Sequence, residues 1–272
     1  MPTQCILDRN TQERTQDMVE RDLIIMKFGG SVLVNRDSLD LVVDECYNAV
    51  HAGHKVIVVI SAYNGMTDLL QTEAGRHMPA NDFGAFTGLL SLGEVLTSAE
   101  TGLALLDAGL DAHVVNVGEI GLRANGDPLD ADLIGVDTRS IHDLLLQHQV
   151  LVVPGYMSVD AKNRILLLGR GGSDLTATYL AGALGARTCS LIKDVDGLYE
   201  REPNQGRRFA RRYQYLNYAD AVALGPQVIQ PKALAVAEQY ELNIEVRSTP
   251  HAGCTIVGTG PSMLEVDPTT EQ

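Results

Sequence analysis

The chain contains short apolar runs that leave little choice of fold. LIIMKF (23–28), KVIVVI (55–60), VLVVPGY (150–156) and TCSLIK (188–193) are β-branched and continuous rather than alternating. A strand apolar on both sides is one buried on both sides, as in a parallel sheet covered by helices. The segments between them carry a different period. Leu39, Val42, Val43, Cys46 and Val50 repeat as one helix face, halted at His51-Ala52-Gly53. Helix is expected over 82–110 with a break near Ser91-Leu92-Gly93, over 173–184, over 218–224 and from Pro231. Further strands are expected at 112–117, 165–168, 243–248 and 254–257. Strands alternating with helices predict an α/β fold, a three-layer αβα sandwich with a mostly parallel central sheet. No linker-like stretch divides it. The expected organisation is a polar N-terminal extension over 1–22 and a single two-lobed domain over 23–272.

With 272 residues, 45% of them hydrophobic, the chain can bury one large core or two modest ones without disulfides. Cys5, Cys46, Cys189 and Cys254 form no C-x-x-C pair, so free buried thiols are expected rather than zinc or a redox dithiol. Lys and Arg total 21 against 35 Asp and Glu, a net charge of −14. That balance disfavours nucleic acid or an anionic membrane as partner, and any anionic ligand must be met by locally gathered cations. The first residues are too polar for a secretory signal, and no apolar run of about 20 residues is evident, so a soluble, cytoplasmic protein is expected.

In open α/β sheets, ligands bind at the carboxyl ends of strands. Four such ends are unusual here. Lys27-Phe28-Gly29-Gly30-Ser31 combines glycines, which let phosphate approach the backbone, with a lysine; it also reads as a tight turn. Ser61 to Thr67 offers small and hydroxyl groups, with Thr67 as helix N-cap the plainer reading. Gly169-Arg170-Gly171-Gly172-Ser173-Asp174 puts two opposite charges in a glycine turn, an expensive choice for a mere connection. Lys193-Asp194-Val195-Asp196-Gly197-Leu198-Tyr199 suits a turn or a metal site, though not an EF-hand loop. Neither a Walker loop nor a G-x-G-x-x-G fingerprint occurs, and there is no G-x-S-x-G or H-E-x-x-H.

Taken in order, KFGGSVL, VIVVISAYNGMTDLL, SLGEVLTS, VPGY, LLLGRGGSDLTATYLAGALGA and KDVDGLYEREP resemble the catalytic domain of aspartokinases, from about Leu23 to Gly258. The resemblance implies the amino-acid kinase fold and ATP-dependent phosphorylation of the side-chain carboxylate of aspartate or a close analogue, with Mg²⁺. It implies that Lys27, Gly29, Gly30 and Ser31 meet ATP phosphates, and that Lys193, Asp194, Gly197, Tyr199 and Gln227 contact the nucleotide. Ser61, Thr67, Glu94, Arg170, Gly171, Gly172 and Ser173 would bind the amino acid, with Arg170 on its α-carboxylate and Glu94 on its ammonium. Lys27 and Asp174 would be catalytic. A homo-oligomer, dimer or higher, is expected, and the C-terminal ACT domains usual in the family have no room before residue 272.

There are departures from the family pattern. The glycine turn is one residue shorter than KFGGTSV, Gln227 replaces a lysine, Asn204 replaces an arginine and Lys193 replaces a threonine. Five arginines at 201, 207, 208, 211 and 212, together with Lys232, are candidates to restore the lost charge; the plainer reading is a solvated loop paired with surface acids. Two further readings stay open: another carboxylate, carbamate or phosphate acceptor, and a catalytically weak ligand-binding homologue.

Overall fold

A computed structural model describes residues 23–76, 83–201, 210–225, 229–249 and 253–265. The expected extension over 1–22, Cys5, Asn204, Arg207, Arg208 and Gln227 lie outside them. The elements run β1 (Leu23–Phe28), α1 (Leu39–His51), β2 (Lys55–Ile60), α2 (Met66–Gly75), α3 (Phe83–Asp107) and β3 (Ala112–Val114). Next come β4 (Arg123–Asp127), β5 (Asp130–Gly135), α4 (Thr138–Gln147), β6 (Val150–Pro154), β7 (Met157–Val159) and β8 (Ile165–Leu167). The chain continues through α5 (Gly172–Leu184), β9 (Thr188–Ile192), β10 (Tyr213–Asn217), α6 (Tyr218–Leu224) and α7 (Pro231–Gln239). It closes with β11 (Ile244–Arg247), β12 (Cys254–Gly258) and β13 (Met263–Leu264).

Nine strands form one sheet in the order β13-β10-β12-β11-β9-β1-β2-β6-β3. The pairs β9-β1, β1-β2, β2-β6 and β6-β3 are all parallel. Antiparallel pairs occur on the other side, at β11-β12 and β10-β13. The continuous apolar runs follow from this position. Ile25, Ile57, Val59 and Val153 face one apolar cluster with Leu175 and Leu180 of α5, while Phe28, Val56, Val58, Ile60 and Val152 face another with Val42 and Cys46 of α1 and Leu105 of α3. Each fully buried Val, Ile or Leu contributes roughly 1.5–3 kcal/mol. The three-layer α/β/α architecture is therefore the expected one.

Two expectations change. The helix over Phe83–Asp107 has no break: Gly93 is not an interruption but a close approach, where a Cβ would stand 2.8 Å from the Cβ of Ala62. That helix also has the length and apolar content of a membrane span, contrary to the expectation that no such run exists, and half of its apolar window is buried in the protein. Interspersed Gly, Ser and Thr hide its apolar character in the sequence. A second sheet, β5-β4-β7-β8, also emerges. It stands beside the carboxyl ends of β2 and β6, where Gly155 N–H donates to Ile60 O. Cys46 and Cys189 are buried free thiols and Cys254 is half-buried.

Candidate active site

Because β1, β2, β6 and β9 run parallel, their carboxyl ends open on one side of the sheet, and a cavity of about 500 Å³ lies there. It is lined by Lys27, Gly30 and Ser31 after β1, Ser61 and Thr67 after β2, Glu94 of α3, and Arg170, Gly171, Gly172 and Ser173 at the start of α5. These residues span almost 150 positions of sequence, and the topology alone gathers them.

Lys27 is the penultimate residue of β1 and is buried, its Nζ 2.5 Å from Asp174 Oδ1. Asp174 stands in the first turn of α5. Its other oxygen lies 3.4 Å from Lys193 Nζ, just past the end of β9. Burial alone would raise the Asp174 carboxyl, but the two ammonium groups outweigh it and hold it below the usual carboxylate range. Gly29 suits this cluster, since a Cβ there would stand 3.0 Å from Lys27 Nζ. Gly171 is required twice over: its φ is +72°, and the Gln230 side chain occupies the space of a Cβ.

Glu94, which also lines the cavity, is 3% exposed. Its Oε1 accepts from Ala62 N–H at 3.3 Å, and Oε2 has no partner among the described residues. Burial drives its carboxyl up to about 7, against the smaller pull of the Ala62 amide. Arg170, by contrast, is exposed at the rim, with no ion-pair partner among the described residues. Thr67 is not an N-cap; Gly65, in the left-handed region, precedes α2, and Thr67 lies within its first turn.

Other expected residues lie apart from this cavity. Tyr199 OH donates to Asp196 at 2.8 Å, and Gly197 packs on Arg212 and Thr255. Asp194 is exposed on the same turn. The described arginines follow the plainer reading: Arg201 and Arg211 pair with Glu200, and Arg212 with Asp196 and Glu265. Lys232 is bound to Asp130 and Asp132. Sequence reasoning missed Tyr156, which lines the cavity with φ +66°, an uncommon strain for an aromatic residue. Burial, then the charge of Glu94, pushes its phenol up to about 12, so it remains a donor. Its place just beyond proline-stopped β6, after Gly155, was the available signal.

A cavity with a buried carboxylate on one wall, a guanidinium on the rim and an ammonium at a glycine turn can hold a zwitterion beside a phosphorylated group. Comparison with known proteins gives the family and the fold. The sequence model of the amino acid kinase family matches residues 22–248. An aspartokinase of Rickettsia bellii is 27% identical over 251 residues, 89% of this chain and 62% of that protein. One from Thermus thermophilus is 31% identical over 230 residues, 84% of this chain and 56% of that protein. The chain thus spans about three-fifths of the length of these relatives. Escherichia coli aspartokinase III, solved with aspartate and ADP, superposes with a TM-score of 0.76 at 23% identity, covering 88% of this chain and 65% of that one, a likeness of fold.

Proposed function

The chain belongs to the amino acid kinase family, and from that premise we propose that it transfers the γ-phosphoryl group of ATP to the side-chain carboxylate of L-aspartate or a close analogue. The observation that carries this reading is that Glu94 and Arg170 both line one cavity. Glu94 offers an unpartnered buried oxygen to an ammonium, and Arg170 offers a planar fork to an α-carboxylate. A ligand held at both ends presents its remaining carboxylate toward Lys27. Relatives named aspartokinase, and a similarly folded one holding aspartate and ADP, support the choice.

A side-chain carboxylate, with a pKa near ~4, is already an ionised nucleophile at neutral pH, so no general base is required. One carboxylate oxygen bonds to the γ-phosphorus as the bond to the β-phosphate bridging oxygen breaks, leaving an acyl phosphate and ADP. The barrier is repulsion between two anions. Lys27, fixed by Asp174, supplies positive charge at the reacting group, and the glycines at 29–30 and 171–172 let phosphates approach the backbone. Mg²⁺ accompanies ATP in this reading and would neutralise phosphate charge. The described residues include no cluster of three His, Cys, Asp or Glu, and Asp174 is already taken by two ammonium groups. They do not form a protein cage for the ion, and no step is routed through it.

Association of two or more copies and a cytoplasmic setting belong to the same reading. The exposed apolar stripe of α3, Leu92, Val95, Leu96, Leu103 and Leu106, supports pairing with a second copy. A coupled ADP-release assay across amino acids with Mg²⁺ tests the activity. Turnover with aspartate is expected, falling by about 10²-fold or more in Lys27→Ala. Nucleotide binding without turnover on any amino acid would instead indicate a binding homologue.

A further inference from the structure

The loop over 61–65 follows β2 and lines the cavity with Ser61, Ala62, Tyr63 and Asn64. Helix α3 grips it at two adjacent residues. Glu94 Oε1 accepts from Ala62 N–H at 3.3 Å, and one residue on, Tyr63 OH donates to Glu100 Oε2 at 2.7 Å. The other oxygen of Glu100 takes the guanidinium of Arg36, in the segment that follows the glycine turn after β1. One carboxylate of α3 thus holds side chains from the segments after both β1 and β2. Those two segments also meet directly. Asn64 N–H donates to Leu33 O at 2.9 Å, and a Cβ on Gly30 would stand 3.2 Å from Ala62 O. The clamp is sheltered at its centre: Tyr63 is 9% exposed and the Glu100 side chain 14%, against 78% for Arg36. An ion pair so open to water contributes little by itself, so the shielded, charge-assisted bond from Tyr63 is the stronger of the two.

We propose that Glu100 is a positioning residue for the phosphoryl acceptor: by fixing Tyr63 it sets the 61–65 loop against α3, where Ala62 N–H meets Glu94. This rests on the kinase reading above. Glu100 does not itself line the cavity, so it acts through the loop. Without the Tyr63 bond, the Ala62–Glu94 contact loses its neighbour, and the loop that carries Ser61 and leads into Thr67 is freer to move away from Glu94. The bond from Arg36 holds the Glu100 carboxyl below the usual carboxylate range, against burial. Burial, then the bond to Glu100, pushes the Tyr63 phenol above its ordinary value. Acceptor and donor therefore keep their protonation states through the neutral range, and the clamp stays closed there.

The test joins amide hydrogen exchange to steady-state kinetics with aspartate, ATP and Mg²⁺. Both are run on the full chain, on Glu100→Ala, Glu100→Gln and Tyr63→Phe, and on Glu100→Ala combined with Tyr63→Phe. In Glu100→Ala the amides over 61–65 should exchange about tenfold faster while those of β2 keep their wild-type rates. Its acceptor KM should rise about tenfold, with the ATP KM changed by less than about threefold. Glu100→Gln, whose amide oxygen still accepts from Tyr63, should recover most of that loss. The double variant should fall within about twofold of Glu100→Ala, because both substitutions remove the same bond. Thermal melts of each variant confirm folding. A folded Glu100→Ala with wild-type exchange and acceptor KM would overturn the assignment and leave the kinase reading intact. Acceptor and ATP KM rising together, or effects that multiply in the double variant, would overturn it as well, since a general loosening of the fold does both. Wild-type protein that turns over no amino acid would overturn the kinase reading, and this inference with it.

Discussion

In the proposed reading, Glu94 pairs a role in acceptor binding with a cost in stability, and pH separates the two. Its carboxyl is pushed up to about 7 by burial, whereas in the unfolded chain it titrates in the ordinary range. Between those values the native state holds a proton that the unfolded state has released, so this residue's effect on stability worsens as pH rises through the window. Above about 7 the full cost applies, on the order of 3 kcal/mol. Glu94→Gln should therefore raise the melting temperature at pH 8 and leave it nearly unchanged at pH 4. Its proposed role runs the other way. An ammonium binds the ionised form, so the acceptor KM of the native enzyme should climb as pH falls below about 7, approaching tenfold per unit, while the ATP KM stays comparatively level. In Glu94→Gln that slope should vanish and the acceptor KM should be high at every pH. A variant that keeps the wild-type KM profile would show that some other group reads the ammonium.

Among the elements, α3 carries the proposed acceptor end of the cavity through Glu94, and its fit depends on Gly93. A Cβ there would meet Ala62 at 2.8 Å, and Ala62 also donates its N–H to Glu94. Helix propensity favours Gly93→Ala by about 1 kcal/mol, yet overpacking costs about 1–3 kcal/mol. We expect net destabilisation in urea denaturation together with a raised acceptor KM; a more stable variant with normal kinetics would show that the 61–65 loop yields freely. This glycine also shows where the sequence misleads, because a residue read as a helix break serves as a contact point. The central strands were legible because burial on both faces leaves runs such as KVIVVI with no polar interruption. The second sheet was not: RANGD and DADLIG are polar, short and held by each other, with nothing local to mark them. The glycine turns and their charges were legible as candidates. That Lys193 and Lys27 share Asp174 was not, since it depends on which strands become neighbours.

At the scale of the whole molecule, the net charge of −14 constrains how two copies can meet. Like-charged surfaces repel, so a stable contact needs a predominantly apolar face. Leu92, Val95, Leu96, Leu103 and Leu106 form an apolar stripe along α3, with Leu103 67% exposed, and a twofold axis across such a stripe pairs each leucine row with its own copy. Two glutamates placed there, Leu96→Glu with Leu103→Glu, should convert a dimer to a monomer in size-exclusion chromatography with light scattering. Because both substitutions lie on exposed positions, the fold itself should persist by circular dichroism. The same helix turns Glu94 inward to the cavity, so loss of the partner should loosen the acceptor end more than the nucleotide end. The monomeric variant is expected to show a higher acceptor KM with little change in ATP KM. A wild-type chain that is monomeric at micromolar concentration would remove the pairing, and the apolar face of α3 would then need a different partner.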